Sequence, residues 1–220
     1  MAALDHLVLA SPDPLATRTV IAEHTGVLLS AGGAHVGLGT RNWLGGLGPG
    51  RYLELIGPDP EQPEPSDGRP FGVDDIAEAR LVTWCARHDD LDGLRRRAAA
   101  AGVGLGAPFT KERDAPDGRL RWRLCLPGID TSGGIVPFFI DWDGSAHPSR
   151  TAVAGLSVVG LGAEHPDPPA VRRILGALGV ELPVAVGPAP RLVATLRGPA
   201  GQLRLGSTDE SAVAPRSEGR

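Results

Sequence analysis

The chain is poor in cysteine, methionine and tyrosine: among 220 residues there are two Cys, one Met and one Tyr. The two cysteines, Cys85 and Cys125, have no metal-motif spacing and sit in apolar runs. They read as buried thiols, and neither a zinc centre nor a disulfide framework is expected. No apolar run approaches the roughly 20 residues needed to span a bilayer, so no membrane partner is expected. Positive charge is not in excess: the net charge is −4, whereas nucleic-acid binding needs a dominant basic face. The segment Met1–His6 lacks the charged-then-apolar layout of a secretory signal, which makes the cytoplasm the expected compartment. The glycine-rich runs fit neither a dinucleotide fingerprint nor a phosphate-binding loop, so no nucleotide cofactor is expected.

Glycine and proline, by contrast, are abundant at 31 and 21 residues, which implies many tight turns between short elements. One proline-rich linker stands out at 58–70, and the polar stretch 207–220 reads as a disordered tail. Outside them a repeat is visible. Leu4–Ala10 alternates like a strand and is followed by Asp13, an N-cap, and Pro14, suited to the first helical position. The same layout recurs with Leu81–Arg87 and Asp90, then with Leu156–Ala163 and Asp167. The capping aspartates are 77 residues apart each time, and so are the helix-stopping Gly102 and Gly179.

Three helices are therefore predicted near 14–25, 90–101 and 168–178. Each is followed by alternating stretches: 27–29, 40–47 and 51–56, then 104–111, 119–126 and 135–142, then 182–186, 191–196 and 202–205. The fold class is α+β, with tandem βαβββ units over 1–57, 71–143 and 153–206. Ser11, His88 and His165 share the slot before each helix and read as helix-entry residues. A helix covers one face of each sheet, so the other faces of two paired units would enclose a cleft.

Leu4–Asp13, the segment from Gly32 through His35 to Asn42, and Arg51–Ile56 resemble the glyoxalase-like proteins of the vicinal oxygen chelate superfamily. Asp117–Trp122 and Pro137–Trp142 in the second unit carry the same resemblance. It implies paired βαβββ modules around a concave sheet; the first two units would form that pair and its cleft, with the third copy read from the repeat in addition. It also implies a divalent metal as candidate cofactor, held by side chains from the first and last strand of each module. Position by position this gives His6, Glu54 and Asp141 as metal ligands. Thr83 falls on the position of His6 and departs from the pattern, since a hydroxyl is a poor ligand beside imidazole or carboxylate.

Strand alternation places Glu54 on one face with Tyr52 and Ile56. A carboxylate among apolar neighbours is explained by a metal or by a hydrogen bond to His6. Asp141, on the face of Phe139, is either a ligand or a turn cap. His35 and Glu54 are the candidate catalytic groups, although His35 could equally hold a turn together with Asn42. Tyr52, Arg41, Asn42, Thr83, Arg121, Arg123 and Phe139 are the candidate ligand contacts. Arg121 and Arg123 leave one face of their strand: if it is the concave face they would clamp an anion, and otherwise they are solvated. His24 and His147 belong to no constellation. The expected partner is a small oxygen-bearing molecule, handled by metal-dependent lyase, isomerase or dioxygenase chemistry or sequestered without metal; a homodimer remains open.

Overall fold

The computed structural model describes residues 2–115 and 118–206; the expected tail 207–220 and Asp117 of the second-unit motif lie outside the described residues. The repeat of β-α-β-β-β elements is present. The first unit consists of β1 (Ala3–Ala10), α1 (Pro14–Thr25), β2 (Ser30–His35), β3 (Thr40–Gly46) and β4 (Tyr52–Pro58). The second comprises β5 (Arg80–Arg87), α2 (Leu91–Ala100), β6 (Phe109–Ala115), β7 (Gly118–Cys125) and β8 (Phe138–Asp141). The third has β9 (Ser157–His165), α3 (Pro168–Ala177), β10 (Val184–Val186), β11 (Arg191–Gly198) and β12 (Gly201–Gly206).

Each helix starts where its cap dictates. Asp13 accepts from the Ala16 amide, Asp90 from Gly93 and Asp167 from Ala170. The preceding slot does the same work three times: Ser11 Oγ, His88 Nδ1 and His165 Nδ1 accept the backbone N–H of the capping aspartate. After the helices the first sheet strand begins later than its alternation predicts. Val27 and Leu29 are buried without belonging to a strand, and β2 starts at Ser30.

The first two units share one eight-stranded sheet in the order β2-β3-β4-β1-β5-β8-β7-β6. Its two halves mirror each other about the antiparallel β1–β5 pair, which ties His6 to Cys85 and Val8 to Thr83. The third unit keeps the element order but joins its strands as β10-β9-β11-β12, so β9 lies between β10 and β11 and does not pair with its last strand. Its two-sided pairing gives it a separate four-stranded sheet.

One large core lies on the helix-bearing face of the long sheet. There Leu7, Leu53, Leu81 and Ile135 pack with Leu94 of α2 and with Leu192, Leu196 and Leu203 of the third unit. A smaller cluster occupies the opposite, concave face: Val8, Ile56, Cys85, Phe138 and Ile140, joined by Val73 and Ile76. The last two belong to the connection between the units. That connection forms a short 3-10 helix at Pro70–Asp75 and packs against β1 and β4. Both cysteines are free and buried.

Candidate functional site

The concave face encloses a cavity of about 480 Å³. Its floor comes from β1, β4 and β8, its walls from β3 on one side and β6–β7 on the other, and Phe71 of the connection leans over it. Most of the wall is apolar: Leu44, Ile56, Trp122, Leu124, Phe138 and Ile140. Polar groups gather at one end.

At that end Glu54 lies beside His6, because β1 and β4 run parallel with His6 opposite Tyr52 and Val8 opposite Glu54. The Glu54 carboxylate faces an imidazole on each side: His6 Nε2 is 3.8 Å from Oε2, and His35 Nε2 is 3.7 Å from Oε1. Asn42 Nδ2 donates to Glu54 Oε1 at 2.6 Å and lies 3.2 Å from His35 Nε2. Its Oδ1 accepts the Gly33 N–H, which fixes the amide's orientation. Tyr52 stacks on His6 at 4.6 Å between ring centroids. Burial lowers the pKa of His35, aided by Arg113 and opposed by the charges of Glu54 and Asp59. Burial, reinforced by Glu54 and Asp5, pushes the Tyr52 phenol well above its usual value.

Asp5 and His147 are the members that alternation could not reveal. The β1–β5 register slips between Leu4 and His6, leaving Asp5 as the extra residue of a β-bulge. Its fully buried carboxylate accepts from His6 Nδ1 at 2.8 Å, Trp142 Nε1 at 3.0 Å and His147 Nε2 at 3.1 Å. Burial alone would raise this carboxyl, but the hydrogen bonds and charges of His147 and His6 hold it well below the usual carboxylate range. The ionised carboxylate favours the proton of His6 on Nδ1, which turns the Nε2 lone pair toward Glu54 and the cavity.

Several expected contacts point elsewhere. Arg121 and Arg123 leave the opposite face of β7: Arg123 pairs with Asp92 of α2 at 2.8 Å, and Arg121 approaches Glu112 and Asp143. The reason is that Trp122 and Leu124, which alternate with the arginines along β7, form the cavity wall. Both faces of this sheet are apolar, so an apolar stripe does not say which face it is. Asp141 and Phe139 share the helix side for the same reason. Phe139 is core, while Asp141 pairs in register with Arg123 and accepts the Asp143 N–H as a turn cap. Arg41 turns outward to Asp59 and Glu61 and stacks over Trp43. Thr83 pairs with Val8 and is not among the cavity-lining residues. Of the expected set, the fold gathers His6, His35, Asn42, Tyr52 and Glu54 around the cavity.

The expected metal trio therefore does not assemble, with Asp141 on the far face. In register the second unit supplies no substitute: Val8 pairs with Glu54 in the first unit, and its repeat equivalent Cys85 pairs with Phe138. Among the described residues, Asp5, His6 and Cys85 form a possible ligand cluster, their ligand atoms lying within 4.8 Å of one another. Asp5 is already engaged by three ring N–H donors, however, and burial raises the Cys85 thiol well above its usual value. On the cavity side His6, Glu54 and His35 do not converge on one point: among the described residues their ligand atoms form no group within 4.8 Å of one another, where a catalytic divalent ion takes three or more protein ligands. Between Glu54 and His35, the Asn42 amide supplies the positive end that a cation would. The arrangement does not fit a resident catalytic metal.

The profile of the glyoxalase-like domain family matches residues 4–179. The chain belongs to this family, within the vicinal oxygen chelate superfamily, and its paired modules have the fold that membership implies. Among solved structures it is similar to a hypothetical protein from Staphylococcus aureus, with 18% identity over 93% of this chain and 85% of that one and a TM-score of 0.59. It is also similar to methylmalonyl-CoA epimerase from Mycobacterium tuberculosis, with 19% identity over 62% of this chain and 84% of that one and a TM-score of 0.41. No curated protein matches the chain. Among the described residues no helix is long and apolar enough to cross a membrane.

Proposed function

We propose that the cleft binds a small molecule with an apolar body and an oxygen-bearing head, and that Glu54 exchanges a proton with that head. The observation that carries this is the placing of one buried carboxylate, flanked by two imidazoles, at the polar end of an otherwise apolar cavity. A carboxylate there can remove a proton from a carbon or hydroxyl next to a carbonyl, the step common to isomerases and lyases. His6, oriented by Asp5, and His35, kept neutral by its surroundings, can pass that proton on. Tyr52 orients the head, Asn42 holds the Glu54 carboxylate in place, and no step requires a metal.

The apolar wall, with Phe138 in the place of a second ligand, also favours a plainer reading in which the cleft sequesters a compound without changing it. Proton exchange separates the two. A small 2-oxo acid incubated with the protein in deuterium oxide should exchange its C3 protons faster than in buffer, by proton NMR. Glu54→Gln should slow that exchange by about 100-fold or more while leaving binding in place. Binding without exchange in the natural protein would leave sequestration. Chelator treatment should alter neither result, and loss of exchange on metal removal would sink the metal-free reading.

A further inference from the structure

Strand β6 contributes two cations to the cavity that the chemistry above does not use. Lys111 and Arg113 are two residues apart and share a face with Phe109, and all three line the cavity. Arg113 is half-buried. Among the described residues no carboxylate lies within 4.0 Å of its guanidinium and no hydrogen bond to it is formed. Other arginines around the cleft are engaged: Arg41 with Asp59, Arg69 with Asp74 and Arg123 with Asp92. Glu54 is the acid nearest the polar end, but it is taken by the Asn42 amide.

The position of Arg113 is built from the opposite edge of the sheet. A Cβ on Gly33 of β2 would lie 2.7 Å from Arg113 Nη1, so the guanidinium rests against a backbone made bare by glycine. The curled sheet thereby brings its two edge strands, β2 and β6, together at the cavity. Arg113 is close enough to the polar end for its charge to act on both His35 and Tyr52, adding to the lowering of the first and opposing, without overcoming, the rise that burial gives the second. The Tyr52 hydroxyl has no hydrogen-bond partner among the described residues. An unpaired guanidinium and an unpaired phenol that both border an apolar cavity leave donors free for an incoming acceptor.

We infer that the ligand is a monocarboxylic acid, its carboxylate held by Arg113 with Lys111 beside it, and its apolar body lying along Trp122, Leu124 and Phe138. This deepens the proposed function and rests on its reading of the cleft. A carboxylate matches the planar guanidinium fork bidentately, whereas a phosphate dianion would bring a second negative charge toward the Glu54 carboxylate. With the carboxylate at Arg113, the neighbouring carbon or oxygen of the acid faces Glu54 and His6.

The test is a calorimetric titration of aryl and alkyl carboxylates, from propionate to naphthylacetate, each beside its uncharged amide of the same shape. The natural protein should bind the better acids at least about tenfold more tightly than their amides. Arg113→Met should erase that preference and keep the affinity for the amide, while Arg113→Lys should retain part of it. Thermal melting of the variants checks that each is folded, and Arg113→Gln serves if the methionine variant is not. Amides bound as tightly as acids would overturn the inference and leave the cleft reading standing. An acid preference that survives in Arg113→Met would overturn it too. Failure of the whole series to bind would overturn both.

Discussion

Asp5 sets the polar end of the cleft from behind. Its carboxylate takes three ring N–H groups from three parts of the chain: His6 on β1, Trp142 after β8, and His147 ahead of the short helix Pro148–Arg150. Asp5→Ala would leave these donors unpaired in a buried space and should cost on the order of 3–5 kcal/mol by urea unfolding. Asp5→Asn keeps the shape but turns one acceptor into a donor, and should cost about half as much. The sign of the pH dependence follows from the shifts. A depressed carboxyl contributes stability that is present above its unfolded value of about 4 and lost as pH falls toward the folded one. His35, lowered chiefly by burial, likewise favours the fold above its unfolded value of about 6.5 and opposes it as pH falls below that. Unfolding free energy measured from pH 8 to 3 should therefore decline in two stages, and Asp5→Asn should flatten the lower one. An unchanged acid limb in that variant would contradict the role given to Asp5.

At the scale of elements, what repeats in sequence repeats in structure, because caps and entry residues act within a few residues of themselves. Asp13, Asp90 and Asp167 could be read as helix starts, and Ser11, His88 and His165 as one recurring slot. The placing of His6 near Glu54 also followed from the strand positions, since β1 and β4 pair without a register shift from His6 onward. Longer-range features were not legible. The bulge at Asp5 breaks the alternation that would have been needed to find it. The face of β7 was ambiguous because both sides of the sheet are apolar, which left Arg121 and Arg123 as candidate ligand contacts and hid Lys111 and Arg113. The strand order of the third unit depends on where its sheet docks, and no local signal carries that. One glycine marks the docking: a Cβ on Gly198 of β11 would fall 2.2 Å from the Thr25 carbonyl oxygen at the end of α1, where the Ala200 N–H also donates to that oxygen. Gly198→Ala should destabilise by about 1–3 kcal/mol in chemical unfolding, since backbone rather than a flexible side chain must yield. Gly176→Ala, on the open face of α3, is the control and should be neutral or slightly stabilising.

The whole molecule has a consequence that neither sheet has alone. Leu196 and Leu203 of the third unit are buried in the same apolar cluster as Leu7, Leu53 and Leu81 of the long sheet, and β11 and β12 pack over β5. The segment entering the third unit is also bound to the first, through the Gly46 N–H donating to the Val153 carbonyl at 2.7 Å. The third unit thus covers the back of the strands that carry His6, Asp5 and Thr83, and fixes the floor of the cleft from behind. Two units with separate cores would melt separately, but a shared core should unfold as one. Leu196→Ala removes a fully buried side chain where the two sheets meet and should cost about 2–5 kcal/mol. The effect on the transition is more telling than its size. By differential scanning calorimetry the variant should keep a single transition, shifted down, and tryptophan fluorescence should move with it, because all four tryptophans (Trp43, Trp84, Trp122 and Trp142) lie in the first two units. A second transition, or fluorescence that stays at the natural midpoint while helical signal is lost early, would show that the third unit folds on its own and that the floor of the cleft does not depend on it.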